Sequence, residues 1–367
     1  METNDIGDIV YAACLAHDIG NPPFGHSGEE AIQSWFKKNS DRPLLKDAMS
    51  SDDTRNDFLF FDGNAAGYRV LCRTQNWRNE GGLRLCAAVV GAFVKYPYSS
   101  KVSAEMLSRG TTSKKKFGYF HQDLRHFSAV FDKLGMRKIS EGHYARHPLV
   151  YLVEAADDIC YHATDIEDGV RSGIIPKKEG VELLKACCNP DHIPNIGRFE
   201  AREDLNRLLA YLRSGVISTL VDECYLCFIQ DNNYTAIMDG TFSGSLVEAC
   251  SYAEAVRKIE VLCKNELYVH RAKMEVEAGG FQIIEFLLNE FGAALEEIKC
   301  AGVENISRKY KNLYYLLPKE IRGELGQGGA SSYALACHLI DYIVGMSDKF
   351  AVDLFKKISG GGLIIGR

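Results

Sequence analysis

A chain of 367 residues with 46% hydrophobic and 25% charged residues has ordinary globular composition and is long enough to bury a sizeable core. Its formal charge of -6 excludes a global basic field for nucleic acid, so a polyanion site would need positive charge concentrated locally by lysines, arginines or a metal. No apolar run reaches the ~18–20 residues of a bilayer span, and Met1 to Asp8 are polar and acidic, unlike a secretory leader. Twelve cysteines without an export signal predict a reducing, cytoplasmic setting.

Helical periodicity dominates from the start. Ile9, Ala12, Ala13 and Ala16 form one apolar stripe. A loop follows from Gly20 to His26, after which Ser27, with Glu30 three residues on, reads as a capping box opening a helix that carries Ala31, Ile32, Trp35 and Phe36. The polar stretch Asn39–Asp57 reads as a surface excursion. Helices are predicted over Gly63–Gln75, Leu83–Val94, Gln122–Lys133, Pro148–Val170 and Lys178–Cys188, with Gly173 and Pro176 breaking the fourth. Amphipathic stretches fill Glu200–Gln230, Leu246–Tyr268, Phe281–Lys299 and Ser332–Ile358, while Gly326–Gly329 and Gly360–Gly362 read as a turn and a tail. Strand-like alternation is scarce, no solenoid repeat is evident, and neither a P-loop nor a dinucleotide-binding glycine motif occurs. The cysteines, Cys14, Cys86, Cys160 and the pair Cys187–Cys188 among them, read as core packing. So does the one CxxC, at Cys224 and Cys227, which has no second pair at zinc-site spacing. The expected class is all-α, divided into residues 1–173 and a helical C-terminal region 174–367.

Two segments carry chemistry. His17-Asp18 ends a helix and leads into Gly-Asn-Pro-Pro-Phe-Gly-His26-Ser-Gly-Glu29. Adjacent imidazole and carboxylate groups can reach one metal when the chain turns between them, and their nitrogen and oxygen donors suit Mn, Fe, Mg, Ni or Zn without choosing among these. The second segment runs from Glu154 to Asp168. Asp157, Tyr161 and Asp165 recur every four residues and share one helical face. Two carboxylates inside an apolar helix are costly unless paired or metal-bound, although a solvated acidic face explains the local pattern equally well.

Together these segments resemble the dGTPase-type deoxynucleoside triphosphate triphosphohydrolases of the HD superfamily. AHDIGNPPFGHSGE looks like their signature, and Phe61–Leu71, FDGNAAGYRVL, is similar to a FEGNAQ block. Val94-Lys95-Tyr96-Pro97 resembles their LKYP turn and Lys115–Tyr119 their KxGY segment; EAADDICYHATDIEDG resembles their second metal motif, and Asp341–Asp348 a DYIxGMTD helix. The blocks keep family order from residue 9 to about 355. The resemblance implies an all-α, multi-helix HD-domain fold with a helical C-terminal extension, and metal-dependent hydrolysis of a deoxynucleoside triphosphate to deoxynucleoside and triphosphate. It implies a divalent metal held by His17, Asp18 and Asp157. It further implies His26 as the catalytic acid oriented by Glu29, and Asn64, Lys95, Lys116, Tyr161, Asp165 and Glu277 lining the nucleotide site. A homo-oligomer is the expected assembly, with no membrane partner and no indication of nucleic acid.

Each residue has a plainer alternative. Asn64 could cap the helix near Gly63, Lys95 and Lys116 could be solvated surface lysines, Glu29 could simply favour a helix N-terminus, and His26 could be a loop residue. The sequence departs from the family in two places. The family draws its first metal ligand from a His upstream of His-Asp, and no His occurs among the 16 residues before His17, so the chain reads as lacking an N-terminal segment. An arginine expected a turn before Asp341 is replaced by Leu335, Cys337 and His338. Two other readings therefore stand: an HD phosphohydrolase for another nucleotide, such as a cyclic dinucleotide or alarmone, and a non-catalytic nucleotide-binding subunit.

Overall fold

Apolar residues three and four apart bury one face of each long helix, and this pattern builds the protein. The computed structural model describes residues 3–76, 81–110, 115–201 and 204–361. Among these the fold is all-α, as expected; the one sheet is a ribbon of Lys138–Ser140 antiparallel to His143–Tyr144. The chain forms two compact units, one of residues 1–15, 91–93 and 145–275, the other of residues 16–90, 94–144 and 276–367.

In the first unit, Val150–Arg171 buries Val150, Tyr151, Ala155, Ile159, Ala163, Ile166 and Val170 along one stripe. That stripe shares a core with Leu208, Leu209, Leu212, Val216 and Leu220 of Leu205–Ile229, a helix begun by the Asp204 side chain accepting the Arg207 N–H at 3.2 Å. Glu167, buried beside this core, is compensated by Arg171 and Arg213, each at 2.6 Å.

In the second unit, His26–Lys38 buries Trp35 and Phe36, worth roughly 1.5–3 kcal/mol each. They pack with Ile284, Leu287, Leu288 and Phe291 of the helix ending at Ala301 and with the helix Ser332–Val344. Arg69 and Asp57 are among the ionisable groups that lie deep in this unit. Arg69 is fully buried and bonds Asp341 with both ends of its fork, at 2.5 and 2.8 Å, with Asp123 at 3.7 Å. Burial alone would raise Asp341, but Arg69 and His338 outweigh it and hold this carboxyl below its ordinary range. Asp57 accepts from Ser100 Oγ at 2.6 Å, from the His121 N–H at 2.8 Å and from the Tyr333 hydroxyl, so it joins four segments.

Several expectations need correction. The capping box at Ser27 does not form: the helix begins at His26, and Ser27 Oγ donates instead to the Glu277 carbonyl at 3.0 Å. Asn39–Asp57 is no surface excursion, because two short helices, Pro43–Ala48 and Asp52–Leu59, bury Leu44, Leu45, Ala48, Met49 and Phe58. The stretches Leu246–Tyr268 and Ser332–Ile358 are each interrupted. Helix Leu246–Ala249 stops before Ala253–Leu262, and Ser347 caps a new helix, Asp348–Ile358, by accepting the Phe350 N–H. Cys14 is only half-buried and Cys86 and Cys160 are exposed, whereas Cys187, Cys188, Cys224 and Cys227 are core residues as expected.

Candidate active site

The loop after Asp18 is shaped by close backbone approach. Gly20 has φ +104°, and a Cβ there would sit 2.0 Å from the Gly67 nitrogen, so two glycines let the loop lie directly on the helix Gly63–Arg69. Phe24 has φ +66°, a conformation costly for an aromatic residue. The Asp348 carboxylate, which accepts its N–H at 3.0 Å, helps to hold it. Two residues later the chain enters the helix that carries His26 and Glu29.

His26 Nδ1 lies 3.0 Å from Glu29 Oε2, with the imidazole 90% exposed and the carboxylate 8% exposed. The buried acid therefore orients a ring that faces outward. The hydrogen bond that His26 donates to Glu29 raises the His26 pKa above its usual 6.5. Burial pushes Glu29 up, but His26, Lys116 and the Gly63 N–H together outweigh it and hold the acid below the ordinary range. The Gly63 N–H donates to Glu29 Oε1 at 2.7 Å. A larger residue there must displace Asn21, since a Cβ on Gly63 would lie 2.2 Å from Asn21 Oδ1 and 3.1 Å from Glu29 Oε1.

Lys116 Nζ lies 2.6 Å from Asp62 Oδ2 and 3.4 Å from Glu29 Oε2. Asp62 is fully buried, and its other oxygen accepts both the Asn64 N–H and the Asn64 side-chain amide at 2.8 Å. Asp62, not Asn64, thus caps the helix Gly63–Arg69. Burial raises the Asp62 carboxyl and Lys116 offsets only part of this. Burial alone would lower Lys116; its two carboxylates reverse that and leave it raised. Sequence reasoning missed Asp62, although an Asp directly before a helix start is itself an N-cap signal. Lys95 is half-buried in the turn before Pro97, and the two lysine-bearing segments pack together, with the Gly118 N–H donating to the Tyr98 carbonyl at 3.0 Å.

His17 Nε2 and Asp18 Oδ2 approach to 3.4 Å, and Asp18 Oδ1 accepts from Asn21 Nδ2 at 2.8 Å. One nitrogen and one oxygen donor face each other, a set that fits a borderline or hard divalent ion. Among the described residues no three His, Cys, Asp or Glu side chains are grouped as a metal site. Asp18 and Asn21 also line a cleft of about 1300 Å³ with Arg69, Arg73, His126 and Lys319. In the other unit, Asp157 and Asp165 are half-buried on Val150–Arg171, Tyr161 is 48% exposed, and Asp165 accepts from the Tyr268 hydroxyl. Glu277 meets Ser27 through its backbone carbonyl.

No family model matches the chain. Individual relatives do. It is 36% identical over 362 residues to a deoxyguanosinetriphosphate triphosphohydrolase-like protein of Pseudomonas aeruginosa, covering 98% of this chain and 78% of the relative. A Synechocystis protein with the same description is 33% identical, covering 98% and 79%. The chain belongs to the deoxyguanosinetriphosphate triphosphohydrolase-like family. A more distant relative, 27% identical over 97% of this chain and 79% of its own length, is the deoxyguanosinetriphosphate triphosphohydrolase of an Enterobacter strain. Membership bears out the resemblance drawn from the motifs. Among the described residues, no helix is long and apolar enough to cross a membrane.

Proposed function

We propose that this member of the family hydrolyses a deoxynucleoside triphosphate to a deoxynucleoside and triphosphate. The observation that carries this reading is the exposed His26 imidazole bonded to the buried, anchored Glu29. Water attacks the α-phosphorus, the bond from that phosphorus to the 5′ oxygen breaks, and His26 gives its proton to the departing oxygen. The proton lost by the attacking water leaves to solvent. The hydrogen bond to Glu29 raises the His26 pKa and so favours the protonated ring, the form a general acid requires. Glu29 fixes the ring through Nδ1, which leaves Nε2 as the donor. His17, Asp18 and Asp157 would hold a divalent ion, and when bound that ion supplies Lewis acidity at the phosphate. Lys95 offers positive charge to the phosphate chain, and Tyr161 and Asp165 stand for the sugar contacts that the resemblance implies.

Triphosphate release from each dNTP in single-turnover reactions with Mn²⁺, alongside a direct metal-binding assay, tests the proposal. His26→Ala should slow turnover by about 10²–10⁴-fold while leaving metal binding intact. Asp157→Ala should lose metal and activity together. Binding of dNTP without any triphosphate release would favour a nucleotide-binding subunit instead, and loss of metal in His26→Ala would make His26 a ligand rather than the acid.

A further inference from the structure

The core of the first unit gathers Cys187, Cys188, Cys224, Cys227, Cys250 and Cys263, all as free thiols. Along the helix Leu205–Ile229 the buried stripe of Leu209, Leu212, Val216 and Leu220 runs on into Cys224 and Cys227, so it ends in two thiols. Cys250 meets this end from the short link between the helices Leu246–Ala249 and Ala253–Leu262, where its backbone is extended. The Cys224 thiol donates to the Cys250 sulfur, and the Tyr252 N–H is directed at the same atom. In its neutral form Cys250 gives its own hydrogen to the Val247 carbonyl at 3.2 Å.

We propose that Cys250 and Cys224 are a peroxide-responsive thiol pair, in which Cys250 is oxidised first and Cys224 resolves it to a disulfide. Packing as small apolar groups accounts for buried cysteines, but not for two hydrogens aimed at one sulfur. The Cys224 hydrogen bond, with the Tyr252 N–H, outweighs burial and the nearby Glu223 charge and brings the Cys250 thiol down to about 7. In the same core burial pushes Cys187, Cys188 and Cys263 up to about 12. The thiolate is the nucleophile. Access assigns the same order: Cys250 is 8% exposed against 3% for Cys224, and its neighbours Glu248, Ala249 and Ser251 lie at the surface, so opening a few residues admits a small oxidant. Cys227 is the less suitable partner, because its sulfur takes the Asn233 side-chain amide at 3.3 Å. In the first step the Cys250 thiolate attacks the terminal oxygen of a hydroperoxide. The S–O bond forms, the O–O bond breaks, and the departing oxygen takes a proton from solvent; sulfur is oxidised to the sulfenic acid and the peroxide is reduced. In the second, the Cys224 sulfur attacks that of Cys250, the S–O bond breaks, and the Cys224 hydrogen leaves with the hydroxyl as water. The new bond ties the link to a helix that shares its core with Val150–Arg171.

The test treats the reduced, folded full chain with hydrogen peroxide, alkylates the remaining thiols in denaturant, and maps the digest by mass spectrometry. A peptide pair joined through Cys224 and Cys250, and released by dithiothreitol, is the expected product. Cys224→Ser should leave Cys250 as a sulfenic acid that dimedone traps, and Cys250→Ser should abolish the bond. The second arm follows alkylation of Cys250 by iodoacetamide in the folded protein as a function of pH. Cys224→Ala removes the S–H donor, so the midpoint should move to higher pH and alkylation at neutral pH should slow several-fold. Cys224→Ser keeps a donating hydroxyl and should stay closer to the parent; it carries this arm, through dimedone trapping, if the alanine variant folds poorly. Oxidation confined to the exposed Cys86, Cys160 and Cys300 would overturn the proposal. So would a bond from Cys250 to Cys227, or a midpoint that ignores the loss of the Cys224 thiol. Neither arm depends on turnover, so failure of the proposed function would leave this result standing.

Discussion

Replacing Arg69 by Met should destabilise the protein severely although it leaves the outer surface unchanged. Arg69 is 1% exposed and makes two charged hydrogen bonds to Asp341, at 2.5 and 2.8 Å. Each such bond is worth about 1.5–3 kcal/mol, which gives ~3–6 kcal/mol for the pair. Removing one partner of a buried ion pair generally costs ~3–5 kcal/mol, so the two routes agree. The loss comes chiefly from what remains: Asp341, with Asp123 nearby, would lie buried without its cation. At ~2–4 °C per kcal/mol for a unit of this size, the melting temperature should fall on the order of 10 °C. Thermal and urea unfolding of Arg69→Met, Asp341→Leu and the double variant checks this. The double variant should recover most of the loss, because two apolar side chains replace an ion pair without an orphaned charge. An Arg69→Met protein within about 1 kcal/mol of the parent, or a double variant whose loss is the sum of the singles, would refute the reasoning.

Asp57 should make stability fall as pH rises. Burial outweighs its three hydrogen bonds and pushes its carboxyl from 3.8 up to about 7. The folded chain therefore binds more protons than the unfolded one between these values. The contribution is complete below pH 4 and is lost by about pH 7. Asp57→Asn should flatten the difference in unfolding free energy between pH 5 and pH 8, and parallel curves for the two proteins would remove Asp57 as its source. Gly63→Ala should cost about 1–3 kcal/mol through overpacking and displace Asn21 from Asp18, which differential scanning calorimetry and Mn²⁺ titration would register as lower stability and weaker binding. Glu29→Gln should lower turnover less than His26→Ala and shift the pH at which activity is lost on the alkaline side downwards, because the hydrogen bond that raises His26 is weakened.

Much of the architecture was legible because long amphipathic helices announce themselves. Val150–Arg171 repeats its buried residues over six turns, and no local accident imitates that. The short helices Pro43–Ala48 and Asp52–Leu59 were lost among Asn39–Asp57 because six or eight residues hold too little periodicity to outweigh a polar composition. The Ser27 capping box failed for a tertiary reason: the helix is entered through Gly25 at φ +56°, and the serine finds its acceptor at Glu277, 250 residues away. At the site, His26 and Glu29 were legible as a pair only through the motif that carries the family resemblance; the spacing alone left a loop histidine and a helix-start acid. The pairing of Lys116 with Asp62 and Glu29 was not legible, since the two acids arrive from separate segments. Asp57 and Arg69 were likewise invisible, because a charged residue reads as a surface residue until its distant partners are known.

The bond from the Phe24 N–H to Asp348 ties the loop behind His26 to a helix that is translated 324 residues later. On the ribosome, the loop must wait in an unlocked form until Asp348 has emerged, since that residue supplies its acceptor. A contact of such long range closes late and slowly. Nascent chains arrested before residue 348 should therefore present the His26 segment to proteases, and emergence of the helix Asp348–Ile358 should abruptly protect it.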